Sequence, residues 1–559
     1  MQTQEQATQQ ENVIPSWHRD FLDNKIMLQQ NLKGTNLAFN IPTPSYVLCK
    51  DSLNANITLL QNIAEKSRAH ILVALKGYSF WRVFEAVRTK LQGATCSGVN
   101  ETLLAFDSIA TPLLQQDVNT KEAIKMLLPY IGDIHTSQYN VEDLSNAFYT
   151  SIKQTSSIKQ DIIQSNVLSQ SILNDLDNIL KEENNWQELC KIIPYAFFNL
   201  FIRKEICVFA PAYKENQMQN ILPYATHIIF NSLGQWERFK PLIDAQNNSL
   251  KKIYDILLTC KRNKIVCFDI PDEIPQIHVG LRINPLYSEV SPPIYNPCIP
   301  KSRLGIIPDV FHGGLERLAE KYGYADTFSF FKAHFSGLHF HTHCEQDSGA
   351  LQRTLPHVIQ HFGDYIAHCK WVNFGGGHHI TRSDYDCALL VNLIEDFKAR
   401  YNNIQVMLEP GEAVGWQTGD LIGEVVDIIE NEGMVAILDI SASCHMPDCL
   451  EMPYRPECYK ITKDSQGNAE IEIDKGETEG KYCYRFGGPT CLAGDVIGDY
   501  SFNTPLKIGD KIAFIDMIHY TIVKNTTFNG VELPNLGVLE DAKFKLLKQF
   551  SYTDFKERN

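Results

Sequence analysis

Five groups of residues carry side chains suited to catalysis, and most fall at the ends of short apolar runs. Lys76 closes ILVALK (71–76). A lone lysine is usually surface charge, but an amine ending a buried strand is partly desolvated, which lowers its pKa and favours Schiff-base chemistry. Gly375, Gly376 and Gly377 open GGGHH (375–379). Consecutive glycines are either a flexible turn or a place where backbone N–H groups approach a phosphate closely. Glu409, in LEPGEA, is either a salt-bridge partner or a carboxylate that holds a proton on a heteroaromatic nitrogen. His339, His341 and His343 alternate in GLHFHTHC and so share one face of a strand. That spacing suits a zinc site, a ring stacked on a flat cofactor, or core histidines. A metal reading would have to recruit Glu409, His378 or His379, because no second ligand cluster is evident at the other run ends. Cys491, in FGGPTCLAGD, is a thiol in a Gly/Pro-bounded loop near Asp495 and a candidate proton donor.

The elements that must position these residues are short β-rich runs, each followed by an amphipathic helical stretch. The runs are ILVALK (71–76), GATCSG (93–98), ICVFAP (206–211), HIIFNS (227–232), HVGLRIN (278–284), FSGLHFH (335–341), WVNFGG (371–376) and QVMLEPG (405–411). Their apolar character is that of strands covered by helices, and eight βα units are what a closed parallel (β/α)8 barrel requires. The barrel is expected over 51–415, with insertions at about 108–204 and 245–276. The first insertion reads as helical from DIIQSNVLSQSILNDLDNIL; the second is Lys-rich. Both lie between a helix and the next strand, at the bottom of a barrel and away from its chemistry, which points to structural or partner-binding roles. Residues 1–40 read as a polar arm with a helical stretch, and 41–50 as a strand joining a second domain. That domain, 416–559, has the runs and Gly/Pro/Asn-rich joins of a mostly antiparallel β structure.

Composition narrows the class. A formal charge of −15 argues against a nucleic-acid binder and is compatible with a cationic small substrate. The 15 cysteines show no disulfide-like rhythm and read as reduced thiols. The Gln-rich start lacks the features of a secretory signal, and no run of about 18 apolar residues predicts a membrane span, so a cytoplasmic enzyme is expected.

In order along the chain, TPSYV, ILVALKGYSFW, FAPAYKENQM, HIIFNSLGQWERF, GLRINPLYSEV, SRLGI, GLHFHTHCEQ, NFGGGHHITR, LEPGEAV, CHMPDCLEMPYRP, RFGGPTCLAGDVIGDY and HYTIVKNTTFNGV resemble the fold type III pyridoxal-phosphate decarboxylases. These are relatives of alanine racemase and of ornithine and diaminopimelate decarboxylases. Within them, the chain is similar to the carboxynorspermidine/carboxyspermidine decarboxylases. The match runs over about 42–107 and 206–540. The resemblance implies an alanine-racemase-type barrel with a C-terminal β domain, pyridoxal 5'-phosphate as cofactor, no metal, a cationic carboxylated polyamine as substrate, and a homodimer with shared active sites. It implies that Lys76 carries the cofactor, that His341 stacks on its ring, and that Gly375, Gly376, Gly377 and Tyr520 bind its phosphate. Glu409 would pair with the ring nitrogen, Arg303 would approach the ring hydroxyl, and Cys491 would return a proton in the partner subunit's site. Two departures stand out. EPGE replaces the EPGR of shorter-substrate relatives, so Glu412 cannot hold phosphate as arginine does and is expected to meet a substrate ammonium. Leu492 replaces the acidic residue after the GPTC cysteine, leaving Asp448 and Asp495 as further candidates for amine contacts.

Overall fold

A computed structural model describes residues 14–127, 186–262 and 268–559. Eight strands, β2 (His70–Ala74), β3 (Gly93–Cys96), β4 (Glu205–Phe209), β5 (His227–Phe230), β6 (His278–Arg282), β7 (Gly337–His339), β8 (Trp371–Asn373) and β9 (Gln405–Leu408), pair in parallel and in order. The sheet closes where His70 and Ile71 of β2 meet Met407 and Leu408 of β9. The strands are short and nearly all buried, as apolar runs between helices must be. Inside the barrel, Trp371 fills space that two glycines leave open. A Cβ on either Gly280 or Gly337 would overlap the indole. The barrel with its β domain is thus as expected.

The crossover after β5 differs from the expected second insertion. One helix, Leu233–Arg262, runs unbroken through 245–262, and β6 begins at His278. Leu250, Ile253, Tyr254, Ile256, Leu257 and Cys260 bury one face of it at helical spacing, so the Lys-rich stretch is the solvent side of an elongated barrel helix. In the first insertion the described segments are helical, including Val118–Leu127, Trp186–Ile192 and Tyr195–Ile202. The DIIQSNVLSQSILNDLDNIL segment lies outside the described residues.

The second domain is a ten-stranded, mostly antiparallel sheet built on β10 (Gly419–Glu430), which pairs with β1 (Ser45–Cys49), β11 (Met434–Leu438) and β16 (Lys511–Phe514). β1 also runs parallel to β17 (Asn535–Glu540), so the segment before the first barrel helix is a central strand of the sheet. The described part of the N-terminal arm, from Ile14, is bolted to both domains. Lys511 Nζ of the sheet domain donates to the carbonyls of Ala38 (2.9 Å) and Ile41 (2.5 Å), Lys25 Nζ donates to that of Trp416 (2.9 Å), and on the barrel side the Ser52 hydroxyl donates to the Ile26 carbonyl. Tyr520 links the domains at the barrel mouth: its N–H donates to the Gly77 carbonyl at 2.8 Å, beside Lys76. No described helix is long and apolar enough to cross a membrane.

Candidate active site

The C-terminal strand ends of the barrel surround a cavity of about 220 Å³, which Lys76, His341, Gly376, Gly377, Glu409, Glu412 and Tyr520 all line. A larger groove of about 970 Å³ lies beside it, along Asn284 to Arg317, and contains none of these residues. Lys76 sits in the turn after β2. Its amine is open to the cavity but crowded by protein; that desolvation, then the nearby Arg282 cation, pull its pKa below the usual lysine value, against the opposing pull of Glu409.

Glu409 follows β9 and is 5% exposed. Its Oε1 accepts from Asn373 Nδ2 at 2.7 Å, and its Oε2 lies 3.3 Å from His339 Nε2. Burial alone would raise this carboxyl, but His339, Asn373 and Thr95 together outweigh it and hold the group below the ordinary carboxylate range. Asn373 also ties Glu409 to the glycine loop, since its Oδ1 accepts from Gly375 N at 2.8 Å. The loop is tight. Gly375 and Gly377 have φ of +73° and +81°. A Cβ at Gly376 would lie 2.6 Å from the Glu409 carbonyl, and one at Gly377 would overlap that of His343. Only glycine keeps the backbone this close to the cavity.

His341 accepts from Gly376 N through Nδ1 (3.4 Å), and burial followed by the Lys76 and Arg282 cations keeps it neutral. Glu412 begins the short helix Glu412–Gly415. Burial pushes its carboxyl up to about 7 although His519 opposes this. His519 Nδ1 lies 3.7 Å from Glu412 Oε1, and its Nε2 lies 3.2 Å from Asp516 Oδ2. Burial would lower His519, but Asp516 and Glu412 overcome it and hold the imidazole up at about 9.

Three expected residues lie off this cavity, and a fourth, Cys491, was expected to serve a partner's site. Arg303 is exposed and off the cavity wall, and its carbonyl accepts from Asn231 Nδ2 at 2.7 Å. The guanidinium at the cavity is that of Arg282, the last residue of β6. It is 5% exposed, sits 4.6 Å over the Phe209 ring and donates to the His341 carbonyl at 3.1 Å. Asp495 is closed off by four donors, Ser441 Oγ (2.9 Å), Ser443 N (3.2 Å), Thr490 Oγ1 (2.7 Å) and Thr490 N (3.3 Å), so it clips the GPTC loop in place. Asp448 is ion-paired with Lys524. Cys491 is exposed on that loop and does not line the cavity of its own chain.

Sequence reasoning missed Arg282, Asn373 and Cys344, a thiol on the cavity wall that burial pushes up to about 11. Arg282 and Asn373 had a signal: each is a polar residue inside an apolar run. The His-x-His strand does bring His339 and His341 to Glu409, with donor atoms within 4.8 Å of one another. Those donors are already committed to Glu409 and Gly376 N, beside the cations Lys76 and Arg282.

The family described as "Pyridoxal-dependent decarboxylase, C-terminal sheet domain" matches residues 133–518. This chain belongs to the pyridoxal-dependent decarboxylases. The chain is 34% identical over 524 residues to the carboxynorspermidine/carboxyspermidine decarboxylase of Campylobacter jejuni, covering 93% of this chain and 99% of that protein. It is 38% identical over 357 residues to the carboxyaminopropylagmatine decarboxylase of Synechocystis, covering 64% of this chain and 77% of that one. Among solved structures, the C. jejuni carboxynorspermidine decarboxylase complexed with norspermidine superimposes with a TM-score of 0.60 at 33% identity, over 93% of this chain and all of that one. This decarboxylase is a carboxy-lyase that uses pyridoxal phosphate. Its own residues fit that cofactor. A glycine cradle leaves no room for side chains, a lysine of depressed pKa faces an ionised glutamate, and His378 borders the cavity with both ring nitrogens buried and unpartnered.

Proposed function

We propose that this decarboxylase removes the α-carboxylate of carboxynorspermidine or carboxyspermidine, yielding norspermidine or spermidine, in the cytoplasm and as a homodimer. The observation that carries the reading is Glu412. A carboxylate faces the cavity where shorter-substrate relatives carry arginine, and it suits a substrate with several ammonium groups.

Bound pyridoxal phosphate supplies an electron sink for the pair left behind when CO₂ departs. The chain's residues do the rest. Lys76, its amine depressed by burial, would hold the cofactor covalently through Nζ. Glu409, held ionised, would keep a proton on the ring nitrogen and so deepen the sink. Neutral His341 would offer its flat face to the ring, the glycine loop would seat the phosphate beside the Gly377 N–H and Tyr520, and Arg282 on the cavity wall would approach the ring in place of Arg303. Cys491 returns the proton to carbon from a second copy, since it lies outside its own chain's cavity. Leu286, Ile299, Ile307 and Val310 beside the cavity, and Leu492 and Phe528 on the sheet domain, are exposed apolar side chains that support such a dimer.

CO₂ release from both carboxylated triamines, set against ornithine, lysine and diaminopimelate, tests the reading; preference for diaminopimelate overturns it. The Synechocystis relative makes carboxyaminopropylagmatine a second candidate, and it belongs in the same assay. Mixing Lys76→Ala with Cys491→Ala tests the shared site. Random subunit exchange should restore roughly a quarter of the activity if sites span the interface, and none if they do not.

A further inference from the structure

His339, the last residue of β7, has no role in the reading above, yet it is 1% exposed and lies directly beneath Glu409. Its ring packs against Phe209, centroids 5.5 Å apart, and stands at 74° to the His341 ring. Nε2 faces Glu409 Oε2 at 3.3 Å, whereas Nδ1 is buried with no partner. These surroundings select one of three forms. A proton on Nδ1 alone would bury an unsatisfied donor and press the Nε2 lone pair against a carboxylate oxygen. Protons on both nitrogens would bury that same donor and add a cation beside Arg282 and Lys76; burial, opposed by Glu409 and helped by those two charges, lowers the imidazole's pKa. The neutral Nε2–H form leaves only a bare lone pair unpaired and donates to Glu409.

We infer that His339 is a positioning residue for decarboxylation: its Nε2–H and Asn373 Nδ2–H grip the two Glu409 oxygens from below, one each, and leave the carboxylate's charge whole for the cofactor's ring nitrogen. A charged His339 would instead share that charge, and an apolar side chain would let the carboxylate turn away. The inference rests on the role given to Glu409 above. It separates His339 from His341, whose Nδ1 is engaged by Gly376 N.

The experiment is ¹⁵N NMR of holoenzyme carrying ring-labelled pyridoxal phosphate, in wild type, His339→Leu, His339→Gln and Glu409→Gln, with kcat and KM for each. A hydrogen bond to an ionised group is worth enough that His339→Leu should lower kcat about ten- to a hundredfold with KM nearly unchanged. Its ring-nitrogen resonance should move toward the unprotonated value. His339→Gln, whose amide reaches to the Nε2 position, should recover most of both. If Glu409→Gln shifts the resonance and His339→Leu does not, the inference fails alone. If Glu409→Gln leaves it unmoved, the role of Glu409 fails first. Histidine-labelled wild type, as holoenzyme and apoprotein, gives an answer that needs no variant to fold. Nε2 must carry the proton and Nδ1 must not; any other protonation state overturns the inference.

Discussion

Gly377→Ala tests the phosphate cradle directly. Gly377 has φ +81°, a left-handed conformation that costs an L-residue roughly 1–2 kcal/mol. Its new Cβ would also fall 2.7 Å from Cys344 N and overlap the His343 carbonyl, both backbone atoms that cannot rotate away. The loop must therefore shift, and the bond from Gln346 N to the Gly377 carbonyl, 2.9 Å long, is strained or lost, for about another 1 kcal/mol. Holding the loop in its binding geometry then costs about 3 kcal/mol, roughly two powers of ten in cofactor affinity. Titrating apoprotein with pyridoxal phosphate and following the absorbance of the lysine-bound cofactor measures this. Gly313→Ala is the matched control. It lies in the helix Pro308–Lys321 with nothing within 4 Å of its Cβ, and should bind normally and gain up to about 1 kcal/mol of stability. Wild-type affinity in Gly377→Ala would refute the cradle.

Arg282→Met removes the cation that helps depress Lys76, so the apparent pKa of Lys76 in apoprotein, read from the pH dependence of its labelling by an amine reagent, should rise; an unchanged profile refutes the coupling. Asp420, buried and accepting from Tyr459 Oη at 2.7 Å, is pushed up to about 7 by burial. An acid whose folded pKa exceeds its unfolded value contributes stability that is full below about pH 4 and lost as pH rises toward 7, so Asp420→Asn should remove about 1.4 kcal/mol per pH unit of slope in that window, measured by urea melts of apoprotein. Parallel profiles would refute it. Product affinity should rise up to tenfold per pH unit toward about 7, as Glu412 ionises to meet an ammonium, and Glu412→Gln should flatten that dependence in calorimetric titrations with norspermidine; a flat wild-type profile sinks the idea.

Much of the fold was legible because a parallel barrel leaves a plain trace: eight apolar runs, each ending where chemistry can sit. Lys76, Glu409, Gly376 and Gly377 were found by that rule and all line one cavity, with Gly375 just behind it in the same loop. Arg282 was overlooked although it is the one lysine or arginine within the eight strands, a signal as strong as Lys76. Asp448 and Asp495 were misjudged for another reason. Whether a carboxylate is free depends on partners far along the chain, and Lys524 and Ser441 lie 76 and 54 residues away. The long helix Leu233–Arg262 was mistaken in part for an insertion because length alone does not separate an extended helix from a new element.

The two glutamates of LEPGEA have opposite electrostatics in one cavity. Both are largely buried, and burial pushes both carboxyls upward. Glu409 has three donors beneath it and stays ionised, as a group that must hold a proton on a ring nitrogen requires. Glu412 has only His519, at 3.7 Å, and that imidazole is shared with Asp516. Its carboxyl is therefore poised near neutrality, where an arriving ammonium can displace its proton. An arginine at this position would repel the same ammonium. Three residues apart in sequence, the two carboxyls differ in ionisation because Glu409 accepts from Asn373 and His339 while Glu412 faces only an imidazole it shares with Asp516 among the described residues.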